Sequence, residues 1–149
     1  MLADDQGDLA ALELSHTRCQ LRRIPEAQDV LFHSNSYQSR RMQSVQVSPS
    51  ARWSGRAPTP LRGKRILQSS ECRDARFREL LSQQNIFDLE DLARIMADHG
   101  PEGTASDNSI CKHSDYWHTT ASLQLIPAER RIRISYSTAC QAKYHDFQL

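Results

Sequence analysis

Hydrophobic and polar residues alternate in short runs at the start of the chain, and this pattern predicts β-strands. The segment Leu9–Leu14 (LAALEL) has the alternation of a half-buried strand. Residues 18–24 (RCQLRRI) follow after a short polar turn, which predicts a hairpin. A third short strand is predicted over residues 29–34 (DVLFHS).

Apolar residues at helical spacing predict two helices in the middle of the chain. The first is expected over residues 71–84, with Ser70 as its N-cap. The second is expected to begin after Asp88 and to end before Gly100, because glycine commonly follows a helix. Its apolar stripe has the i, i+3, i+4, i+7 spacing of an amphipathic helix and comprises Leu89, Leu92, Ala93 and Met96.

Two further alternating segments predict a second hairpin. They are residues 119–126 (TTASLQLI) and 131–137 (RIRISYS), and the turn PAER joins them. The order of elements is then strands, loop, two helices and strands. This order predicts an α+β fold in which the helix pair packs on one face of a sheet.

The composition limits the classes of protein that need to be considered. The chain has 149 residues, of which 38% are hydrophobic, and its formal net charge is +1. This length suits one domain, but the apolar share is below the usual value, so we expect a partner surface to complete the core. The acidic first residues do not resemble a secretory signal, and no apolar run approaches the ~20 residues of a membrane helix. We therefore expect a cytoplasmic protein without a membrane partner.

A basic segment occupies residues 38–69 and is rich in Pro, Ser and Arg. The proline and glycine residues in it predict a loop inside the domain. No acidic residue occurs between Val30 and Ser70, whereas the same stretch holds Arg40, Arg41, Arg52, Arg56, Arg62, Lys64 and Arg65. These cations could bind phosphate groups or form a solvated loop. The lack of an RNA-binding motif argues against a nucleic-acid partner.

One cysteine lies close to several histidines and raises two chemical alternatives. Cys111, His113 and His118 could bind a metal, but their spacing is not a standard zinc motif and a fourth ligand is not evident. Alternatively, Cys111 could be a nucleophile with His99 or His113 as its base. We expect no metal site and no cofactor.

Three short motifs, in a fixed order, resemble a known family. They are VLFHSNSY (residues 30–37), NSICKH (108–113) and TTASLQLI (119–126). Together they resemble the C-terminal part of the acyl-coenzyme A:aminopenicillanate acyltransferases, which are autoproteolytic cysteine Ntn hydrolases. The family has His-Thr-Asn-His where this chain has HSNS, and Ser-Ile-Cys-Arg where this chain has SICK. The resemblance spans residues 8–149.

The resemblance implies a fold, a reaction and a set of site residues. The family fold is a four-layer αββα sandwich, and its reaction is amide hydrolysis or acyl transfer by a cysteine that self-cleavage exposes as a new N-terminus. Asn35 would then contribute to the oxyanion hole, and Lys112 would lie at the position of the family arginine. His33 and Ser109 would contact the substrate. Cys111 would be a structural residue.

The nucleophilic cysteine of the family has no counterpart in this chain, and no other residue here is a credible nucleophile. Residues 1–149 are therefore expected to form a single partial domain that is inactive alone and whose partner is the missing N-terminal portion carrying the nucleophile. The substrate would be a small-molecule amide or acyl donor, with acyl-coenzyme A as one such donor. The alternative is a stand-alone, non-catalytic module that binds an anionic partner through its basic loop.

Overall fold

The described residues form two separate three-stranded antiparallel sheets and three α-helices, so the protein is of the α+β class. The computed structural model describes residues 1–23, 30–114 and 116–149. The strands are β1 (Leu2–Ala3), β2 (Leu9–Leu14), β3 (Cys19–Arg23), β4 (Ser122–Ile126), β5 (Arg131–Ser135) and β6 (His145–Gln148). The α-helices are α1 (Arg40–Gln43), α2 (Gln68–Leu81) and α3 (Leu89–Met96).

The N-terminal sheet has the order β1-β2-β3, and the predicted hairpin forms its larger part. Alternation along β2 buries Ala11 and Glu13 on one face, whereas Leu12 and Leu14 are exposed on the other. The third predicted strand is wrong over residues 30–34, which form no strand. Its first residue, Asp29, lies outside the described residues. Instead, the chain at residues 34–38 is tied to α2 by side-chain hydrogen bonds.

Helix α2 begins earlier than the sequence predicts. It starts at Gln68 after the N-cap residue Leu67, so the prediction of Ser70 as N-cap is wrong. Ser70 is buried inside the helix, and its carbonyl oxygen accepts a hydrogen bond from the Ser34 hydroxyl. One turn further on, the buried carboxylate of Asp74 accepts hydrogen bonds from the Ser34 backbone N–H, the Ser36 hydroxyl and the Gln38 amide. Ser70 and Asp74 thus lie inside the helix and connect it to residues 34–38.

Helix α3 confirms the prediction made from its cap, but its predicted apolar stripe is only partly covered, since Leu92 and Met96 are 37% and 40% exposed. Asp88 is the N-cap residue and exchanges hydrogen bonds with Asp91 in a capping box. The helix lies beside the C-terminal sheet, because the Gln124 amide of β4 donates to the carbonyl oxygen of Leu89. The guanidinium of Arg133 on β5 also pairs with Glu90.

The C-terminal sheet has the order β4-β5-β6 and contains the second predicted hairpin. The turn between β4 and β5 is a 3-10 helix, Pro127–Glu129, which ends at Arg130 in the left-handed conformation. Strand β6 was not predicted from the sequence. On one face of this sheet Leu123 and Leu125 are 57% and 66% exposed, so the apolar side chains there are largely uncovered.

The basic segment 38–69 contains regular structure as well as loop. It holds α1, a 3-10 helix at Thr59–Leu61 and an antiparallel bridge between Arg52 and Arg65. The buried hydrophobic residues of the described chain are few, namely Ala11, Met42, Leu61, Leu67, Ile110, Cys111 and Ala139. Among the described residues, no helix is long and apolar enough to cross a membrane.

Candidate functional site

A pocket of about 360 Å³ lies where the start of α2, the basic segment and the loop before β4 meet. Asn35, from the stretch before the basic segment, also lines the pocket. The other lining residues come from the three regions: Trp53, Leu61, Lys64, Arg65, Ile66, Gln68, Ser69, Ser70, Arg73, Asp107, Asn108, Lys112 and Trp117. Two predicted site residues, Asn35 and Lys112, are thereby brought to one cavity although they are far apart in the sequence.

Arg73 orients the side chain of Asn35 in this pocket. One guanidinium nitrogen of Arg73 donates a hydrogen bond of 2.8 Å to the Asn35 Oδ1 atom. Because arginine has only donors, this contact determines which end of the amide faces the guanidinium. The Nδ2 group, which is the donor end of Asn35, is then directed away from Arg73. A donor of this kind is what an oxyanion hole requires.

Lys112 projects into the same pocket and is held by Ser69 and Trp117. Its Nζ atom donates a hydrogen bond of 2.9 Å to the Ser69 hydroxyl and lies 6.0 Å from the centre of the Trp117 ring. Partial burial and the charge of Arg73 lower the pKa of Lys112, while Asp107 opposes that shift. Burial likewise lowers the pKa of Arg73. These two cations therefore lie close together in a partly desolvated site.

The Asp107 carboxylate lines the pocket and is already hydrogen-bonded to other residues. Asp107 accepts hydrogen bonds from the Ser114 hydroxyl and from the ammonium group of Lys64, the latter at 3.1 Å. The Ser114 hydrogen bond is the main reason that the pKa of Asp107 lies below its ordinary value. Within the described part of the chain, Arg73 and Lys112 form no ion pair with Asp107 or with another carboxylate. The pocket thus offers positive charge beside two tryptophan side chains, an arrangement suited to an organic anion.

The other two predicted site residues lie outside this pocket. His33 is exposed and lines a neighbouring cavity between β2 and the basic segment, where Asn35 forms the shared boundary. Ser109 is buried, and its Oγ atom lies 2.8 Å and 2.7 Å from the carbonyl oxygens of Ser106 and Cys111, either of which can accept its one hydroxyl proton. This hydroxyl stabilises the turn that presents Lys112. The contact of His33 and Ser109 with a substrate stays a prediction.

Cys111 has the environment expected of a structural residue. Its side chain is fully buried. Burial raises the pKa of the Cys111 thiol, which disfavours the thiolate that a nucleophile needs. The Cys111 Sγ atom lies 3.4 Å from the Nε2 atom of His113.

The pocket residues that were not predicted from the sequence include Arg73, Trp53 and Trp117. Arg73 occupies an ordinary position in a charged helix, and its role depends on contact with Asn35 across the fold. The two tryptophans carried a weak signal, since they are the only tryptophans in the chain. Aromatic residues are common lining groups of ligand sites.

Comparison of the chain with protein-family models, with curated proteins and with solved structures finds no match.

Proposed function

We propose that this chain forms the substrate-binding wall of an amide hydrolase or acyltransferase of the Ntn type. The observation that carries the proposal is the meeting of Asn35 and Lys112 in one pocket. Each residue belongs to a different motif of the family resemblance, and the motifs are separated by the basic segment and two helices.

The contacts in the pocket support distinct roles for these residues. Asn35 donates from Nδ2 to the oxyanion that forms when a nucleophile attacks the substrate carbonyl. Arg73 positions Asn35 through their hydrogen bond. Lys112 and Arg73 attract an anionic group of the substrate, either a carboxylate or the phosphates of acyl-coenzyme A.

The nucleophile comes from a complementary N-terminal portion that covers the uncovered sheet faces. Leu12 and Leu14 on β2 and Leu123 and Leu125 on β4 are exposed, which leaves an apolar face on each sheet. Exposed apolar faces of this kind mark interaction surfaces. In the proposed αββα sandwich, strands of the complementary portion pack against them and place the N-terminal cysteine beside Asn35.

Ligand binding by the pocket is testable with the chain's own fluorescence, because both tryptophans line the pocket. We expect acyl-coenzyme A or a small aromatic carboxylate to change the tryptophan emission saturably. A charge-assisted hydrogen bond contributes about 1.5–3 kcal/mol, so Lys112→Ala should weaken binding by about tenfold or more. Lys143→Ala removes the same charge at an exposed position outside the pocket and should leave the affinity unchanged.

The outcomes separate the two candidate functions. Equal affinity of the Lys112→Ala and Lys143→Ala variants would refute the proposed role of the pocket. If the pocket binds anions, a second experiment measures activity. For it, the chain is co-expressed with the segment encoded directly upstream of its Met1 codon. Amidase or acyltransferase activity in this sample supports the proposed enzyme. Anion binding without activity in any such sample favours the stand-alone binding module.

A further inference from the structure

A cluster of histidine and cysteine side chains lies next to the pocket, and two of its members flank Lys112 in the sequence. It consists of His99, Cys111, His113 and Cys140, and one side-chain nitrogen or sulfur atom from each lies within 4.8 Å of all the others. The four residues come from three segments, namely the chain after α3, the loop before β4, and the 3-10 helix Ala139–Gln141 after β5.

Two separations within the cluster can be compared with those between the ligands of a tetrahedral zinc ion. The Nε2 atom of His113 lies 3.4 Å from the Sγ atom of Cys111 and 3.1 Å from that of Cys140. Zinc bonds of ~2.3 Å to sulfur and ~2.1 Å to nitrogen place such ligand atoms roughly 3.6 Å apart. Both observed distances are shorter than that value, so the donor atoms converge closely enough to bind one ion after a small shift of the side chains.

His99 provides an independent sign that the cluster has a ligand. Its Nε2 atom is buried and has no hydrogen-bond partner within the described part of the chain. An unpaired polar atom in the interior is costly, so such atoms normally bind a partner. The His99 and His113 rings stand edge to face with their centres 5.0 Å apart, so His99 is adjacent to the other donors.

Backbone and side-chain contacts hold these donors in place. The Cys111 N–H donates a hydrogen bond of 3.0 Å to the carbonyl oxygen of Asp98, which ties the loop to the end of α3. The Asp98 carboxylate in turn accepts two hydrogen bonds from Arg76 on α2. A backbone bridge joins His113 to His118 and so restrains the loop beyond Cys111. The cluster is therefore preorganised by residues that are not themselves donors.

We propose that His99, Cys111, His113 and Cys140 bind one Zn²⁺ ion in a four-coordinate structural site. Two thiolates and two imidazoles form the donor set that tetrahedral zinc prefers, whereas magnesium and calcium prefer oxygen ligands. Four protein ligands leave no open position for a water or a substrate, so the ion is structural. Cys140 and His113 are exposed, which gives the ion a path into the site.

The proposed ion joins the chain after α3 to the C-terminal sheet and restrains the loop that carries Lys112 into the pocket. Cys111 and His113 flank Lys112 in the chain, and Lys112 points into the pocket while its two neighbours point into the cluster. The buried apolar core of the described chain is small. Small cores of this kind often depend on a metal or another cross-link for stability.

The sequence did not predict this site, because the motif of Cys111, His113 and His118 lacked a fourth ligand. In the fold, His118 does not belong to the cluster, and His99 and Cys140 take part instead. The inference is separate from the proposed enzymatic function, since metal content can be measured whatever the pocket binds.

Metal analysis of the protein purified without chelators from zinc-supplemented cells tests the proposal. We expect about one zinc ion per chain in the wild type. Cys140→Ser should abolish stoichiometric zinc, because a thiolate ligand is lost. The exposed cysteines Cys19 and Cys72 lie outside the cluster, so Cys19→Ser and Cys72→Ser should retain it.

Two measurements on the wild type keep the test valid if a variant fails to fold. Cobalt added to the metal-free protein should produce the visible and thiolate charge-transfer absorption of tetrahedral cobalt. Zinc should raise the melting temperature of the metal-free protein by at least about 5 °C, as expected for a ligand that binds only the folded state. Three results would each overturn the proposal. They are a wild type without zinc, a Cys140→Ser variant that retains zinc, and a Cys111–Cys140 disulfide in the zinc-supplemented preparation.

Discussion

At the scale of single residues, a buried glutamate holds the start of α1 against the N-terminal sheet. The Glu13 carboxylate accepts hydrogen bonds from the Ser39 hydroxyl and from the backbone N–H groups of Gln38 and Ser39. Burial alone would raise the pKa of Glu13, but these hydrogen bonds and the charge of Arg22 outweigh burial and lower it. The carboxylate is therefore more stable in the folded chain than in the unfolded chain.

This lowered pKa predicts a loss of stability in acid. A carboxylate with a depressed folded-state pKa contributes its stability above the unfolded-state value of ~4.3, and this contribution is lost as the pH falls through the folded-state pKa. Glu13→Gln should lower the free energy of unfolding near neutral pH by about 1.5–3 kcal/mol. It should also flatten the acid dependence below the unfolded-state pKa. Urea unfolding across this pH range measures both effects.

The exposed Glu102 offers a control for this experiment, because it forms no side-chain hydrogen bond among the described residues. Glu102→Gln should behave as the wild type at every pH. An acid dependence of Glu13→Gln that coincides with that of the wild type would show that the carboxylate of Glu13 does not stabilise the fold.

At the scale of elements, α3 shows how much a local cap contributes. The Asp88 carboxylate accepts a hydrogen bond of 2.7 Å from the Asp91 N–H, and no distant residue is needed to form this cap. We expect Asp88→Ala to lower the free energy of unfolding by about 0.5–2 kcal/mol, as for other N-cap residues. Chemical unfolding measures the change, with Glu102→Ala as the control. A loss no larger than that of the control would contradict the capping role.

At the scale of the whole molecule, the uncovered apolar faces predict self-association of the chain when it is expressed by itself. Leu125 is 66% exposed on β4 beside Leu123. We expect the chain to bind an apolar dye and to sediment as more than a monomer. Leu125→Lys should reduce both effects, because a charge on this face opposes contact with another apolar surface.

Ile86 provides the matched control for this surface, because it is 86% exposed in the connection between α2 and α3, outside both sheets. Ile86→Lys should leave dye binding and sedimentation unchanged. A monomeric wild type with a sharp melting transition and no dye binding would show that these residues complete their own core. That result would favour the stand-alone module.

The sequence by itself determined the features that depend on nearby residues. The cap of α3, the β2–β3 hairpin and the β4–β5 hairpin all follow from contacts within a few positions of the chain, so their patterns are visible in the sequence. The motifs around Asn35 and Lys112 likewise identified two residues that line one pocket.

Only the tertiary structure decided the features that join distant segments. Arg73 orients Asn35 from α2, and Cys140 reaches Cys111 from beyond β5, so neither contact leaves a pattern of spacing in the sequence. The position of Ser70 inside α2 was likewise not visible in the sequence; there it is buried, and its carbonyl oxygen accepts a hydrogen bond from the Ser34 hydroxyl. Such contacts are set by packing between elements, and packing overrides the local preferences that a sequence pattern reports.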